Sequence, residues 1–175
     1  MNYAVIKPTD VANGPGVRVS LFVSGCTHHC KSCFNAEAWD FSYGQKFTKE
    51  TEEEILRLLS PEYIEGLTLL GGEPLEPVNQ EGLLPLIKEV RARFPEKTIW
   101  CFTGYDFEKD VLGNMFPSSS VTQELVPLFD VIVDGRFVEE KRNLRLKFRG
   151  SENQRILDVK RSLKKGEAVW CEEFR

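Results

Sequence analysis

The chain has 175 residues, 41% of them hydrophobic, and a net charge of −4. That length fits one domain, residues 1–175, with enough apolar residues for a substantial core, and the charge gives no electrostatic case for a nucleic-acid partner. No apolar run approaches the roughly 20 residues that span a bilayer, and the start, Met1-Asn2-Tyr3-Ala4-Val5-Ile6-Lys7-Pro8, has no long apolar stretch. The expectation is therefore a cytoplasmic, reducing setting with no membrane segment and no disulfide framework.

Segments of strand and helix character then alternate. Val-Arg-Val-Ser-Leu-Phe-Val at 17–23 reads as a strand with two-residue alternation at its start. A loop with three cysteines follows it directly. Thr51-Glu52-Glu53-Glu54 resembles a capping box at the start of a helix reaching about Leu59. Residues 67–70 form a short apolar strand ending in Gly71-Gly72-Glu73-Pro74. Leu83, Leu84, Ile87, Val90 and Phe94 recur at helical spacing, with Pro85 expected near the first turn. A third strand, 98–102, ends at Thr103-Gly104-Tyr105; a weaker helix includes 123–128; a fourth strand, 129–135, ends at Asp134-Gly135. Residues 155–159 suggest a fifth strand and 168–170 a short sixth. The basic stretch 141–149 reads as a solvated loop.

Such alternation implies an α/β fold with a mostly parallel sheet. The chain is too short for a complete eight-fold barrel, which needs at least about 200 residues. An open, incomplete (β/α) barrel of about six mostly parallel strands is expected. Ligands in open parallel sheets sit at the carboxyl ends of the strands. The cysteine loop, the Gly-Gly-Glu-Pro turn, Thr103-Gly104 and Asp134-Gly135 would then share one face.

The cysteine loop carries the most chemistry. Cys26, Cys30 and Cys33 are spaced C-x3-C-x2-C. Four thiolates normally cage an iron–sulfur cluster, so three leave one iron without a protein ligand. A Cys3His zinc site using His28 or His29 is the rival reading, but both histidines lie within a three-residue gap and have little freedom to close a tetrahedron. Cys101 and Cys171 stand alone among apolar residues and read as buried, inert thiols. Gly-Gly-Glu-Pro is an ordinary turn or a place where backbone approaches a ligand closely, since no Cβ obstructs it.

Taken together, the C-x3-C-x2-C loop after one strand and Gly-Gly-Glu-Pro after the next resemble the radical S-adenosylmethionine superfamily. Asn13-Gly14-Pro15-Gly16-Val17-Arg18 resembles the lead-in of the activating enzymes of glycyl-radical proteins, with Asn13 where those commonly carry Asp. Residues 20–26, Cys33-Phe34-Asn35 and Ala38-Trp39-Asp40-Phe41 are similar to the branch that serves anaerobic ribonucleoside-triphosphate reductase. The resemblance implies that Cys26, Cys30 and Cys33 hold a [4Fe-4S] cluster, whose open iron takes S-adenosylmethionine. Reductive cleavage would give a 5′-deoxyadenosyl radical, which removes a hydrogen from a glycine of the reductase. It implies cofactor contacts from Ser32, Cys33, Phe34, Gly71, Gly72 and Glu73, with Thr103 and Asp134 as further candidates. It also implies an external electron donor such as flavodoxin or a ferredoxin-like protein. An activase of pyruvate formate-lyase and a non-catalytic iron–sulfur or zinc module are the alternatives. Ser151-Glu152-Asn153-Gln154-Arg155 also resembles a segment of the reductase activases; Asn153 and Arg155 would face cofactor, partner or solvent.

Overall fold

The computed structural model describes residues 1–175. Its frame is one seven-stranded sheet: β1 (Asn2–Asp10), β2 (Val17–Val23), β3 (Gln45–Lys46), β4 (Ile64–Gly71), β5 (Thr98–Phe102), β6 (Val131–Asp134) and β7 (Arg155–Asp158). The order across the sheet is β3-β1-β2-β4-β5-β6-β7. The pairs β2–β4, β4–β5 and β5–β6 are parallel, and β1–β2, β1–β3 and β6–β7 are antiparallel.

This corrects the expected open, incomplete barrel of about six mostly parallel strands. The sheet is mixed and does not close, and half of its strand pairings are antiparallel. The reason lies in the connections. A parallel neighbour needs a long crossover, usually a helix. The links β2→β4, β4→β5 and β5→β6 each contain a helix, α1 (Lys49–Leu59), α2 (Pro77–Arg93) and α4 (Ser120–Leu125) respectively. Residues 11–16 are too few for a crossover, and residues 135–154 contain only a short 3-10 turn at Glu139–Lys141, so β1 and β7 lie antiparallel to their neighbours. Residues 168–170 give only an isolated bridge, Trp170 to Leu157, in place of a sixth strand.

Alternation along the strands separates two faces. Val19, Leu21, Leu67, Leu69, Ile99, Cys101, Ile132 and Leu157 point to the helices and belong to a core of 24 buried residues. The opposite face carries Arg18, Thr68, Trp100, Val131, Val133 and Ile156. Arg18 is fully buried there. Its guanidinium donates to Thr68 Oγ1 at 2.8 Å, Thr98 Oγ1 at 2.9 Å and the carbonyls of Leu67 and Thr98 at 3.0 and 2.9 Å. Burial lowers its pKa to about 10. Arg18 of the Gly-Pro-Gly-Val-Arg lead-in thus ties β2 to the middle of β4 and the start of β5.

Helix boundaries also shift. The capping box of α1 is formed by Thr48 and Thr51, three residues earlier than expected. Helix α2 starts at Pro77, so Pro85 lies two turns inside it. The helix expected at 123–128 is α4 followed by a 3-10 turn at Val126–Leu128. Before it run a π-helical segment, Phe107–Met115, and the single turn α3 (Phe116–Ser118). Helix α5 (Val159–Lys165) ends on Gly166 in the left-handed conformation.

Candidate functional site

The site is built from the register of two parallel strands. Val23 ends β2 opposite Gly71, which ends β4. The pairing then continues beyond the strands: Gly72 N–H donates to Val23 O at 2.7 Å and Glu73 N–H to Gly25 O at 2.8 Å. On the other side, Gly25 N–H donates to Ala38 O at 2.7 Å and Cys26 N–H to Trp39 O at 3.2 Å. Those bonds pinch the base of the loop holding all three cysteines. A Cβ on Gly72 would stand 2.6 Å from Gly25 O and 2.9 Å from Ala38 O. Glycine is required here because two backbone segments converge on it.

Within the loop, His29 and Ser32 take left-handed backbone conformations, with φ of 51° and 61°. Such residues cost about 1 kcal/mol or more each and persist where their surroundings hold them. Here the His29 ring stacks on Trp39 with centroids 4.4 Å apart and planes within 6°. Thr27 donates from N–H and Oγ1 to Glu76 Oε1, at 2.8 and 2.6 Å. His28 Nε2 meets Glu73 Oε2 at 2.8 Å, and the His28 ring packs edge-on against Tyr105. Two glutamates flanking Pro74-Leu75 therefore tether successive residues of the cysteine loop.

Glu73 is 1% exposed. Besides His28 it accepts hydrogen bonds from Leu75 N–H (2.8 Å), Thr103 Oγ1 (2.8 Å) and Gly104 N–H (2.7 Å). Four donors match the roughly four lone-pair positions of a carboxylate. The side chain thus joins the ends of β4 and β5 to the cysteine loop. Thr103 spends its hydroxyl hydrogen on the same carboxylate.

Cys26, Cys30 and Cys33 line one cavity of ≈ 390 Å³, together with Phe34, Gly71, Gly72, Glu73 and Thr103. Eight of the residues expected at the site are thus brought together. Ser32 is exposed and does not line the cavity, and Phe34 stands 93% exposed at the rim. Asp134 points away, into the helix side, where it accepts from Phe107 N–H at 2.9 Å and from Arg155. Burial raises its carboxyl pKa, with Arg155 opposing the rise. Arg155 also reaches Glu108 and does not line the cavity.

The donor set fits a four-iron cluster with three protein ligands. Cys101 is fully buried on the helix side, and Cys171 packs near Trp100 without lining the cavity. No fourth thiol shares the cavity. Burial pushes the Cys26 thiol up to about 11 and raises Cys30 as well, so ligation displaces protons from both. Burial raises the Cys101 thiol too, which agrees with an inert, buried group; Cys171 is raised as well but is only half-buried, not buried as expected.

Some wall residues were not among the expected site residues. Asn13 lines the cavity, and its side chain donates to Asp10 Oδ2 at 2.7 Å. The loop 136–154 arches onto the cavity as a strap and contributes Phe137, Leu146 and Phe148. Asn153 Nδ2 donates to Arg136 O at 2.8 Å, Gln154 Nε2 donates to Gly135 O at 3.0 Å, and Gln154 Oε1 accepts from Gly150 and Ser151 N–H. The Ser-x-Asn-Gln-Arg segment is the fastening of this strap. Apolar residues inside the basic stretch were the available clue.

Residues 12–157 match the family described as a 4Fe-4S single cluster domain. The anaerobic ribonucleoside-triphosphate reductase-activating protein of Enterobacteria phage T4 is 46% identical over 157 residues, 89% of this chain and 93% of that protein. The proteins of the same name from Haemophilus influenzae and Escherichia coli are 43% and 40% identical, over 89% and 88% of this chain and 97% and 96% of theirs. The chain thus carries a single-cluster 4Fe-4S domain. It belongs to the family of anaerobic ribonucleoside-triphosphate reductase-activating proteins.

Proposed function

We propose that this protein activates an anaerobic ribonucleoside-triphosphate reductase by generating a glycyl radical on it, as a radical S-adenosylmethionine oxidoreductase of the cytoplasm. The observation that carries this reading is the meeting of three cysteines and no fourth thiol with Gly71-Gly72 in a single cavity. A cavity of ≈ 390 Å³ falls in the ~300–1,000 Å³ range of sites that enclose small molecules. Bound there, the cluster would supply the electron for reductive cleavage of S-adenosylmethionine to methionine and a 5′-deoxyadenosyl radical, which would take a hydrogen atom from the reductase glycine and become 5′-deoxyadenosine.

The residues of the chain do the positioning. Cys26, Cys30 and Cys33 would hold the cluster and, with no fourth thiol in the cavity, would leave it a position for the cofactor. Gly71 and Gly72 line the cavity at the methionine end with backbone, held there by the close approach of Phe22 and Val23 to Gly71 and of Gly25 and Ala38 to Gly72. Glu73 fixes the cysteine loop against β4 and β5 and adds negative charge beside the methionine ammonium. Phe34, exposed at the rim, offers an aromatic face to adenine. The electron comes from a separate donor, a flavodoxin or ferredoxin-like protein.

The test is anaerobic reconstitution with iron and sulfide, then incubation with S-adenosylmethionine, reductant and reductase. Expected are 5′-deoxyadenosine and a glycyl radical signal in paramagnetic resonance. Full cluster content with no 5′-deoxyadenosine would sink the reading.

A further inference from the structure

The strap 136–154 has a charge the rest of the molecule lacks. It holds six lysines and arginines against three glutamates, +3, in a chain of net charge −4, so the remainder carries −7. Its glutamates are already engaged. Glu139 pairs with Arg142 and Glu140 with Lys31, both at 3.7 Å, and Glu152 accepts from Asn143. Arg145 and Lys147 are exposed and make no ion pair. The strap alternates: Leu146 and Phe148 line the cavity, and Arg145 and Lys147 stay in solvent. Leu144 is 86% exposed beside them. The Lys31–Glu140 pair places the strap next to the cysteine loop, whose Phe34 is 93% exposed at the same cavity.

A solvated loop accounts for the charges but not for two large apolar side chains in the open at one mouth. Exposed apolar groups ringed by unpaired charge mark an interaction surface. The sign of that charge selects the partner, because an acidic segment is repelled by the rest of this molecule and steered to the strap.

We infer that the outer face of the strap, with Leu144 and Phe34, is the docking surface for the reductase, and that the reductase presents to it an acidic segment with an apolar anchor. Arg145 and Lys147 pair with its carboxylates, and the apolar anchor sits against Leu144 or Phe34. Docking there delivers the reacting glycine to the cavity mouth. This rests on the proposed function and adds to it the place and chemistry of partner recognition.

The test compares reconstituted wild type with Arg145→Glu/Lys147→Glu and with Leu144→Ser. All three positions are exposed, so equal cluster absorbance and thermal stability are the control for folding. Three quantities are measured: reductase binding at two ionic strengths, glycyl radical yield at sub-saturating reductase, and 5′-deoxyadenosine release without reductase. The double variant should bind at least about tenfold more weakly at low salt, with a flatter salt dependence than wild type. Radical yield should fall with binding, and reductase-independent 5′-deoxyadenosine release should stay equal. Leu144→Ser should weaken binding with little change in salt dependence. Undiminished binding by both variants would overturn the docking surface and leave the proposed function standing. Absence of 5′-deoxyadenosine from the wild type would do the reverse. Tight wild-type binding to duplex DNA, lost in the double variant while reductase binding is retained, would assign the strap to nucleic acid and also overturn the inference.

Discussion

Glu73→Gln isolates what the buried carboxylate does, because it preserves shape and changes one acceptor into a donor. Oε1 serves Leu75 N–H and Thr103 Oγ1; Oε2 serves Gly104 N–H and His28 Nε2. In either orientation the new NH2 group faces a backbone N–H, of Leu75 or of Gly104, and leaves it unpaired. An unsatisfied buried donor costs about 1–3 kcal/mol. The surviving bonds lose their charge assistance, about 1 kcal/mol each. The sum is about 4 kcal/mol, or roughly 8–16 °C in midpoint at ~2–4 °C per kcal/mol for a chain of this size. Thermal unfolding of the cluster-free protein by circular dichroism, under reducing and anaerobic conditions, reads this directly. Iron content after reconstitution reads the second consequence, since His28 and the cysteine loop lose their anchor. Glu76→Gln touches only the two bonds from Thr27 and should cost about 1–2 kcal/mol. A Glu73→Gln midpoint within about 3 °C of wild type, with full iron content, would refute the tethering argument.

Cys30→Ala should abolish cluster binding and reductase activation together, and full iron content in this variant would remove it from the ligand set. Gly72→Ala forces a Cβ against Gly25 O and Ala38 O; it should cost about 2–4 kcal/mol through the parted loop base and lower cluster yield, checked by unfolding and iron analysis. Burial pushes the Asp10 carboxyl up, but hydrogen bonds from Asn13, Ser20 and Ala12 N–H more than reverse this and hold it below 3.8. A depressed carboxyl pKa contributes stability above its unfolded value and loses it as pH falls through the folded one. Between about pH 5 and pH 3 wild type should therefore lose more stability than Asp10→Asn, and equal losses in the two would count against it. Leu69→Ala, in the centre of the helix-side core, should cost about 2–5 kcal/mol in denaturant unfolding without changing which residues bind iron.

The legible parts of the fold were those with local signals. Strands β2, β4, β5 and β6 are runs of β-branched and apolar residues bounded by glycine, and their helical links set them parallel. The strands outside this parallel centre were not legible in that way. Residues 2–10, with Lys7, Pro8, Thr9 and Asp10, bury only Asp10 fully, so no apolar pattern marks them. β7 was visible as a strand, but its direction depends on residues 135–154 lacking a crossover helix. The site divides similarly. Cysteine spacing and paired glycines are close in sequence and point to a cluster on their own. The roles of Glu73, Glu76 and His28 depend on partners 45 to 49 residues away, and no local pattern predicts which donors will saturate a buried carboxylate.

The sequence by itself determined the family and marked the candidate ligands: three thiols in one short loop, a Gly-Gly-Glu-Pro turn, and a lead-in that resembles glycyl-radical activases, since these depend only on residue type and spacing. The tertiary structure decided which residues the cavity uses. It sends Asp134 to the helix side, because alternation along β6 places Val133 and Asp134 on opposite faces. It makes Glu73 a tether, because the register of β2 with β4 sets that carboxylate beneath the cysteine loop. It turns a basic loop into a wall of the site, because Asn153 and Gln154 fasten it over the strand ends. Side-chain direction and long-range pairing are properties of the assembled sheet, and no stretch of the chain contains them alone.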